Sequence, residues 1–378
     1  MDADVFGQVL GAVRDFVRKE VVPREAEIDE RDEIPAEIRD KAAELGLFGW
    51  ALPEEYGGLG LAMAEDVRLA IELGWTTPAF RSLFGTNNGI AGQAIVHYGT
   101  PEQRTRWLPR LAAGRSIASF ALTEAEAGSD PGGLTSRAVR DGDGYRLSGT
   151  KRFITNAPLA EVFVAFARTG PESTGSRGVS AFLVPAAAPG VTVGPHDAKM
   201  GQAGAWTSEV VFDDVELPAG TLVGEEGKGF GIAMASLARG RLHIAALCVG
   251  MAERALAEAV EYARTARQGG RVIGEYQLVQ ALLAESHAEL AAGRAMVHEA
   301  AAKYDSGEDR KLGPSSAKLF CTEMLGRVAD RAVQVHGGAG YVRGVTVERI
   351  YRDARLFRIY EGTSEIQKLV IARQLLKD

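Results

Sequence analysis

Apolar residues change their spacing twice along this chain, and each change marks a new kind of structure. From Val5 to about Ser116 they recur at three and four residues, as in Val5, Phe6, Val9, Leu10, Val13, Phe16 and Val17, the stripe of an amphipathic helix. Further helical stretches are predicted at Pro35 to Leu47, Met63 to Leu73 and Gly89 to His97, separated by turns such as Gly57-Gly58-Leu59-Gly60. Thr100-Pro101-Glu102-Gln103 reads as a helix start: Thr100 suits an N-cap, Pro101 the first helical position, and Gln103 can close a capping box. Between about Ser119 and Gly224 the period falls to two, in segments such as Val162-Phe163-Val164-Ala165-Phe166 and Val179-Ser180-Ala181-Phe182-Leu183-Val184. Asp141-Gly142-Asp143-Gly144 is a hairpin turn, and roughly six to eight short strands are predicted. After Gly231 long Ala-rich helices return: Ile232 to Thr265, Glu275 to Tyr304, Pro314 to Val335, Val345 to Arg355 and Thr363 to Leu376. With no strand–helix–strand alternation, the class is α+β and multidomain. A helical domain over 1–118 is followed by a β-barrel or sandwich domain over 119–224 and a four-helix-bundle-like domain over 225–378.

Composition narrows the chemistry. The 378 residues are 46% hydrophobic and 25% charged, ordinary for a soluble globular protein. The net charge of −7 is spread along the chain, so neither nucleic acid nor an anionic membrane is an expected partner. No apolar run is read as reaching the ~20 residues of a membrane span, and the opening Met-Asp-Ala-Asp lacks the basic start of a signal peptide; the expected place is the cytoplasm. Cys248 and Cys321 read as buried reduced thiols, and the six histidines show no metal-ligand spacing.

Three Gly-rich stretches and one carboxylate are the candidate chemistry. Gly224 to Gly231 lacks the ending of a P-loop and reads as an interdomain turn before a helix, and Gly337-Gly338-Ala339-Gly340 as a helix C-cap and loop. In Ala121 to Asp130, the Thr123 hydroxyl and the small-residue turn Gly128-Ser129 suit either an anion or polar ring edge, or a plain surface turn. Glu361, between Tyr360 and Gly362, is presented on a bend; in a dry aromatic pocket such a carboxyl becomes a general base, whereas alone it is an ordinary solvated helix-start charge.

Four motifs, in order, resemble the acyl-CoA dehydrogenase family: Phe120-Ala-Leu-Thr-Glu-Ala-Glu-Ala-Gly-Ser-Asp130, Lys151-Arg-Phe-Ile-Thr-Asn156, Gln334-Val-His-Gly-Gly-Ala-Gly-Tyr341 and Ile359-Tyr-Glu-Gly-Thr-Ser-Glu-Ile-Gln367. The resemblance covers essentially the whole chain. It implies a homotetramer, a dimer of dimers, with FAD in each subunit. Phe120, Leu122 and Thr123 would border the isoalloxazine, Phe153 and Thr155 would flank its other side, and Ser129 would lie near both FAD and the acyl-CoA. Gln334, Gly337 and Gly338 from the neighbouring subunit, with Gln277, would contact the ADP half. Thr363 and Glu365 match further FAD positions, and Arg241 and Gly362 match substrate contacts. Glu361 would remove the α-proton of an acyl thioester while the β-hydrogen leaves as hydride to the flavin, with electrons passing to electron-transfer flavoprotein. Branches with the base elsewhere place a Glu at the position that is Gly240 here.

The pattern is broken in a few places. An Arg expected to reach the partner's FAD pyrophosphate falls on Ala266, and a nearby Phe on Gly269. A charge-assisted phosphate bond is worth ~1.5–3 kcal/mol, so its loss weakens FAD binding roughly 10- to 100-fold unless Arg264 or Arg267 substitutes. An Asp one turn before Arg241 is Ala238, and a flavin-side Trp is Phe153. The helix matching the floor of the acyl pocket carries Asn87 and Asn88, which suggests a short, branched or polar acyl group. Two other readings keep the fold: an oxygen-reacting acyl-CoA oxidase-like flavoenzyme, and a non-catalytic acyl-CoA-binding subunit of a mixed tetramer.

Overall fold

The computed structural model describes residues 1–170 and 174–377. Its first part is helical: α1 (Ala3–Phe16), α2 (Glu25–Arg31), α3 (Ala36–Glu44), α4 (Met63–Leu73), α5 (Pro78–Asn88), α6 (Ile90–Tyr98) and α7 (Pro101–Ala112). Phe6, Leu10, Val13 and Phe16 form the buried stripe of α1, and Asp2 caps it by accepting from Asp4 N at 2.9 Å. Past Phe16 the helix widens into a π turn over Val17–Val21 and then tightens before Pro23, which has no N–H to give the ladder. At α7 the capping box forms as expected, Gln103 N donating to Thr100 Oγ1 (3.2 Å) and Thr100 N to Gln103 Oε1 (3.0 Å). Gln103 Nε2 then reaches Gly220 O and Leu222 O, fastening this helix to the β region.

Helix α5, expected only from the family resemblance, is an addition to the elements that periodicity predicts. Every one of its residues is buried, so it carries no polar stripe and hence no period to read.

Eight strands follow: β1 (Ala118–Ala121), β2 (Arg137–Asp141), β3 (Gly144–Thr155), β4 (Val162–Arg168), β5 (Val179–Pro185), β6 (Val191–Val193), β7 (Thr207–Leu217) and β8 (Leu222–Val223). They make one sheet in the order β6-β7-β3-β2-β4-β5-β8, with β1 parallel to β4. Asp141 pairs with Gly144 across the expected hairpin, where Gly142 takes φ +60°. Strands β4 and β5 are buried on both faces, one packed against helices and the other lining the sheet's own core, which is why they read as unbroken apolar runs.

The last part holds α8 (Gly229–Thr265), a small hairpin of β9 (Arg267–Gln268) and β10 (Arg271–Val272), then α9 (Gln277–Ser306), α10 (Leu312–His336), α11 (Thr346–Phe357) and α12 (Ser364–Leu375). Helix α8 corrects one expectation, being long and apolar enough by composition to cross a membrane, but most of that stretch is buried. It is the axis of the core, packed on α4, α9 and α10. Its crossing with α4 is glycine on glycine: a Cβ on Gly74 would come within 2.8 Å of Gly250 Cα, and one on Gly250 within 3.0 Å of Gly74 Cα. Cys248 and Cys321 are both buried and free, and burial pushes the Cys321 thiol up to about 12. Gly337, at φ +57°, ends α10 as expected, but the chain continues as a 3₁₀ turn over Gly337–Tyr341.

Candidate active site

Between α11 and α12 the chain turns through two successive left-handed residues, Glu361 (φ +53°) and Gly362 (φ +91°). For a residue with a Cβ this conformation costs roughly 1–2 kcal/mol, so the surroundings must hold it. Lys318, fully buried on α10, donates Nζ to Gly362 O at 2.7 Å. Gln367 Nε2 donates to the same oxygen (3.0 Å) and to Glu361 O (3.3 Å). Thr363 caps α12 by accepting from Ile366 N.

The Glu361 carboxyl is turned inward, and its Oε2 is buried with no hydrogen-bond partner. That excludes a solvated helix-start charge. Burial pushes its pKa above the usual carboxylate range, and Arg81, Lys318 and Arg241 partly offset the shift. None of the three forms an ion pair with it, so the base is influenced by positive charge without being engaged. Gly240 on α8 is what leaves it room: a Cβ there would overlap Oε2 and stand 3.3 Å from Cδ. Arg241, the next residue, is buried with Nε unpaired. Glu361, Gly362 and Arg241 are thus brought to one place.

The first two motifs form a second group. Arg152 N donates to Thr123 O (2.9 Å) and Ser119 Oγ to Thr155 O (2.8 Å), so β1 and its extension lie beside β3. Lys151 Nζ bonds Glu124 Oε1 (2.7 Å) and Leu122 O (3.3 Å). Glu124 also accepts from the backbone N–H and hydroxyl of Thr135 and of Ser136. Burial alone would raise the Glu124 carboxyl, but Lys151 and these donors hold it at about 2; burial brings Lys151 down to about 8 against the pull of Glu124. The β3–β7 register slips between Lys151 and Ile154, and at this bulge Phe153 takes φ +57° and stands 61% exposed under Arg152. Phe120 and Leu122 are buried, Thr123 and Thr155 half-buried, and Ser129 lies on the exposed loop beyond. An outward-facing aromatic plane beside two accessible hydroxyls and open backbone fits the edge and face of a flavin ring. Asn156 (φ +60°) ends the strand and bonds Ser82 O (2.8 Å) and Thr86 Oγ1 (3.1 Å), tying this group to α5, from which Arg81 acts on Glu361.

The remaining residues lie on the outside of the helical part. Gln277 opens α9, and Gln334, Gly337 and Gly338 end α10, all exposed, as is Glu365. In this chain they are not part of the Glu361 group. Ala266 is half-buried against the core, and after it Gly269 and Gly270 take φ +56° and +80° in the β9–β10 turn, a geometry that favours glycine at both positions. Arg264 and Arg267 are exposed, and Arg267 Nη1 bonds Gly270 O.

One expectation loses the observation it was built on. Asn87 and Asn88 are spent on structure: Asn87 donates to Leu111 O and Ser116 O and accepts from Ala118 N, while Asn88 donates to Leu47 O and Phe84 O and accepts from Ala51 N. With their amides saturated they say nothing about the acyl group. Conversely, the sequence reading passed over Lys318 and Arg81. Lys318 had a signal, since it shares a helical face with Ala317, Cys321, Thr322 and Leu325, a stripe that is otherwise uncharged. Among the described residues no cluster of three His, Cys, Asp or Glu side chains is arranged to hold a metal.

The chain matches the N-terminal domain of acyl-CoA dehydrogenases over residues 7–115, their middle domain over 119–215 and their C-terminal domain over 227–376. It is 39% identical over 364–365 residues to relatives that include the caffeyl-CoA reductase-Etf complex subunit CarC of Acetobacterium woodii, covering 96% of both chains. It is similar to the butyryl-CoA dehydrogenase structure from Megasphaera elsdenii, at 35% identity and TM-score 0.95 with 100% of each chain covered. The FAD complex of PigA is similar too, at 29% identity and TM-score 0.94 over 99% of each chain.

Proposed function

The chain belongs to the acyl-CoA dehydrogenase family of FAD-dependent oxidoreductases, and we propose that Glu361 is its catalytic base, removing the α-proton of an acyl-CoA thioester to give the trans-2-enoyl product. The observation that carries this reading is the buried, unshared Glu361 Oε2, held on a strained turn with space kept for it by Gly240. Its backbone N–H donates to no group among the described residues and is free to polarise a thioester carbonyl. Burial makes this carboxylate a stronger base than one in water, and the cations around it keep the ionised form accessible. FAD, when bound, supplies the acceptor for the β-hydride.

Phe120, Leu122, Thr123, Phe153 and Thr155 would hold the flavin ring, Ser129 would reach ring and substrate, and Thr363 and Glu365 would lie along the cofactor. Arg241 and Gly362 would contact the substrate. Gln277, Gln334, Gly337 and Gly338 would meet the ADP half of a neighbouring subunit's FAD. The reading includes a homotetramer, a dimer of dimers, in the cytoplasm, with domains divided after residues 118 and 224. Apolar side chains left in the open beside those positions, Leu278 (83% exposed) and Tyr341 (87%), support such a subunit contact. Electron-transfer flavoprotein is the proposed acceptor, supported by the Etf complex in the name of the Acetobacterium relative.

The test is an anaerobic titration of the flavin-loaded protein with acyl-CoAs, alongside Glu361→Gln. Bleaching in the native protein and none in the variant is expected. A variant that bleaches at the native rate removes Glu361 from the role.

A further inference from the structure

Residues 194–206, between β6 and β7, form neither helix nor strand, yet three parts of the fold hold them. Near both ends they are tied to the end of β3. Asp197 accepts from Arg152 Nη1 (3.0 Å) and Nη2 (2.7 Å), a two-pronged pairing that fixes direction as well as distance, and from Thr207 Oγ1 (2.9 Å). Arg152 in turn lies 4.4 Å over the ring of Phe153, and Asn156 N donates to Trp206 O (2.8 Å). A second tie runs to the residue after α2: Gly204 N donates to Asp32 Oδ1 (2.6 Å) and Trp206 Nε1 to Asp32 O (2.5 Å).

In the middle the segment is pressed onto α11. Gly201 allows it, since a Cβ there would stand 2.7 Å from Arg352 C and 2.8 Å from Asp353 Oδ1. Gln202, left-handed at φ +55° and buried, donates its N–H to Asp353 Oδ1 and its Nε2 to Asp353 O (3.2 Å), while Arg352 Nη1 donates to Met200 O (3.3 Å). Asp353 is 1% exposed, so its carboxyl is spent on this segment and not on solvent. One turn on is Phe357, whose ring meets that of Tyr360 edge-on at 5.4 Å, and Glu361 follows. Because α11 is packed on α8 and α10, whatever fixes Asp353 fixes the start of the turn that carries the base.

A chain of contacts thus runs from Phe153 through Arg152, Asp197, Gln202 and Asp353 towards Glu361. Proton and hydride leave adjacent carbons of one substrate, so the base and the flavin-facing edge of β3 must keep a fixed spacing, and an error near 1 Å costs up to about 100-fold in rate. We propose that Asp197 and Asp353 are positioning residues, which with the residues between them set the distance from Glu361 to the Phe153 edge of β3. They act through Arg152 and through α11 and need no contact with the substrate. This rests on the reading of Glu361 as the base and of Phe153 as a neighbour of the flavin.

The experiment uses FAD-loaded protein and compares Asp197→Ala, Asp353→Ala, their combination and Asp353→Asn. The probe is whichever of butyryl-, isobutyryl- and hexanoyl-CoA bleaches the native flavin fastest. In single-turnover mixing each Ala variant should bleach roughly 10- to 100-fold more slowly, while the Kd of the same thioester, measured by calorimetry with Glu361→Gln added, stays within about twofold. Because both residues act along one connection, the double variant should be little slower than either single one, whereas independent effects multiply. Asp353→Asn, which keeps an acceptor for Gln202 N, should recover most of the rate. Deuterium exchange needs no substrate: Asp197→Ala should speed exchange of the amides over 358–363, far from the altered side chain, and Asp353→Ala that of the amides over 152–156. Native bleaching or native exchange over 358–363 in Asp197→Ala overturns the proposal, with no need for Asp353→Ala to fold. So do rates that multiply in the double variant. A Glu361→Gln protein that bleaches at the native rate overturns the proposal together with the reading beneath it. Loss of bleaching in Glu361→Gln beside an unaltered Asp197→Ala overturns the proposal alone.

Discussion

Gly240 and Glu361 occupy the same volume from two sides: the missing side chain of one is the space of the other's carboxylate. The two residues are far apart in sequence, on α8 and on the turn before α12, so the match is made by the packing of the last part of the fold. One side chain has been given up so that a carboxylate on a strained turn has somewhere to point.

Gly240→Ala therefore tests the placement of the base. A methyl group would press on the far end of a flexible side chain, so folding should survive while the carboxylate is displaced. A misplacement near 1 Å costs up to about 100-fold in rate. We expect kcat/KM to fall roughly 10- to 100-fold with little change in Tm. Unchanged kinetics would mean that the working position of Glu361 lies elsewhere.

The two α5 amides give the opposite pattern. Asn87→Ala strips three buried backbone groups of their partners, Leu111 O, Ser116 O and Ala118 N. A loss of about 2–4 kcal/mol in urea unfolding is expected, since each orphaned buried group costs of order 1–3 kcal/mol. Relative preference among acyl-CoAs should not move. A changed preference with full stability would restore Asn87 to the pocket.

These residues also mark the limit of what the sequence discloses. Helices α9, α10 and α11 were legible because each buries one face, and the β2–β3 hairpin because Gly142 sits where φ is positive. Periodicity hid helix α5 because it has no exposed face, and with it the buried Arg81, whose unpaired Nε is a fact that exists only in three dimensions. Glu361 stood out by its neighbours in the chain, but nothing local revealed that Gly240 makes room for it or that Lys318 pins Gly362 O. The bulge that turns Phe153 outward depends on β7, some fifty residues on, whose register with β3 no single segment encodes.

The pH profile tests Lys318. Only the ionised Glu361 takes a proton, and burial raises its pKa, so kcat/KM should rise with pH through a midpoint above 4.5, the ordinary carboxylate value. Lys318 opposes that rise from nearby while it is charged, its own pKa brought down to about 8 by burial. Lys318→Met should move the limb to higher pH and lower the plateau, since Gly362 O keeps only Gln367. Lys318→Arg, which keeps the charge, should hold the midpoint. A midpoint that stays in place in Lys318→Met would confine the lysine to packing. Because its folded pKa lies below the unfolded 10.5, native stability should also gain as pH rises from about 8 towards that value, and Lys318→Met should remove this gain.

The Lys151–Glu124 pair makes a claim about stability that separates it from the base. Both side chains are buried, and Glu124 binds four further donors, so the pair joins the first two motifs through a saturated network. Removing one charge leaves the other unpaired in the interior, which typically costs 3–5 kcal/mol, whereas replacing both with apolar groups costs far less. Glu124→Gln should destabilise the fold by about that amount and release FAD, and adding Lys151→Met should recover much of the stability. The sign with pH follows from Glu124, whose folded pKa of about 2 lies below its ordinary 4.5. Its contribution is complete above pH 4.5 and is lost as pH falls from there towards 2. Urea midpoints should drop across that window in the native protein, and the double variant should lose this part of the drop. A Glu124→Gln protein as stable as native at pH 7 would mean that the pair contributes nothing net.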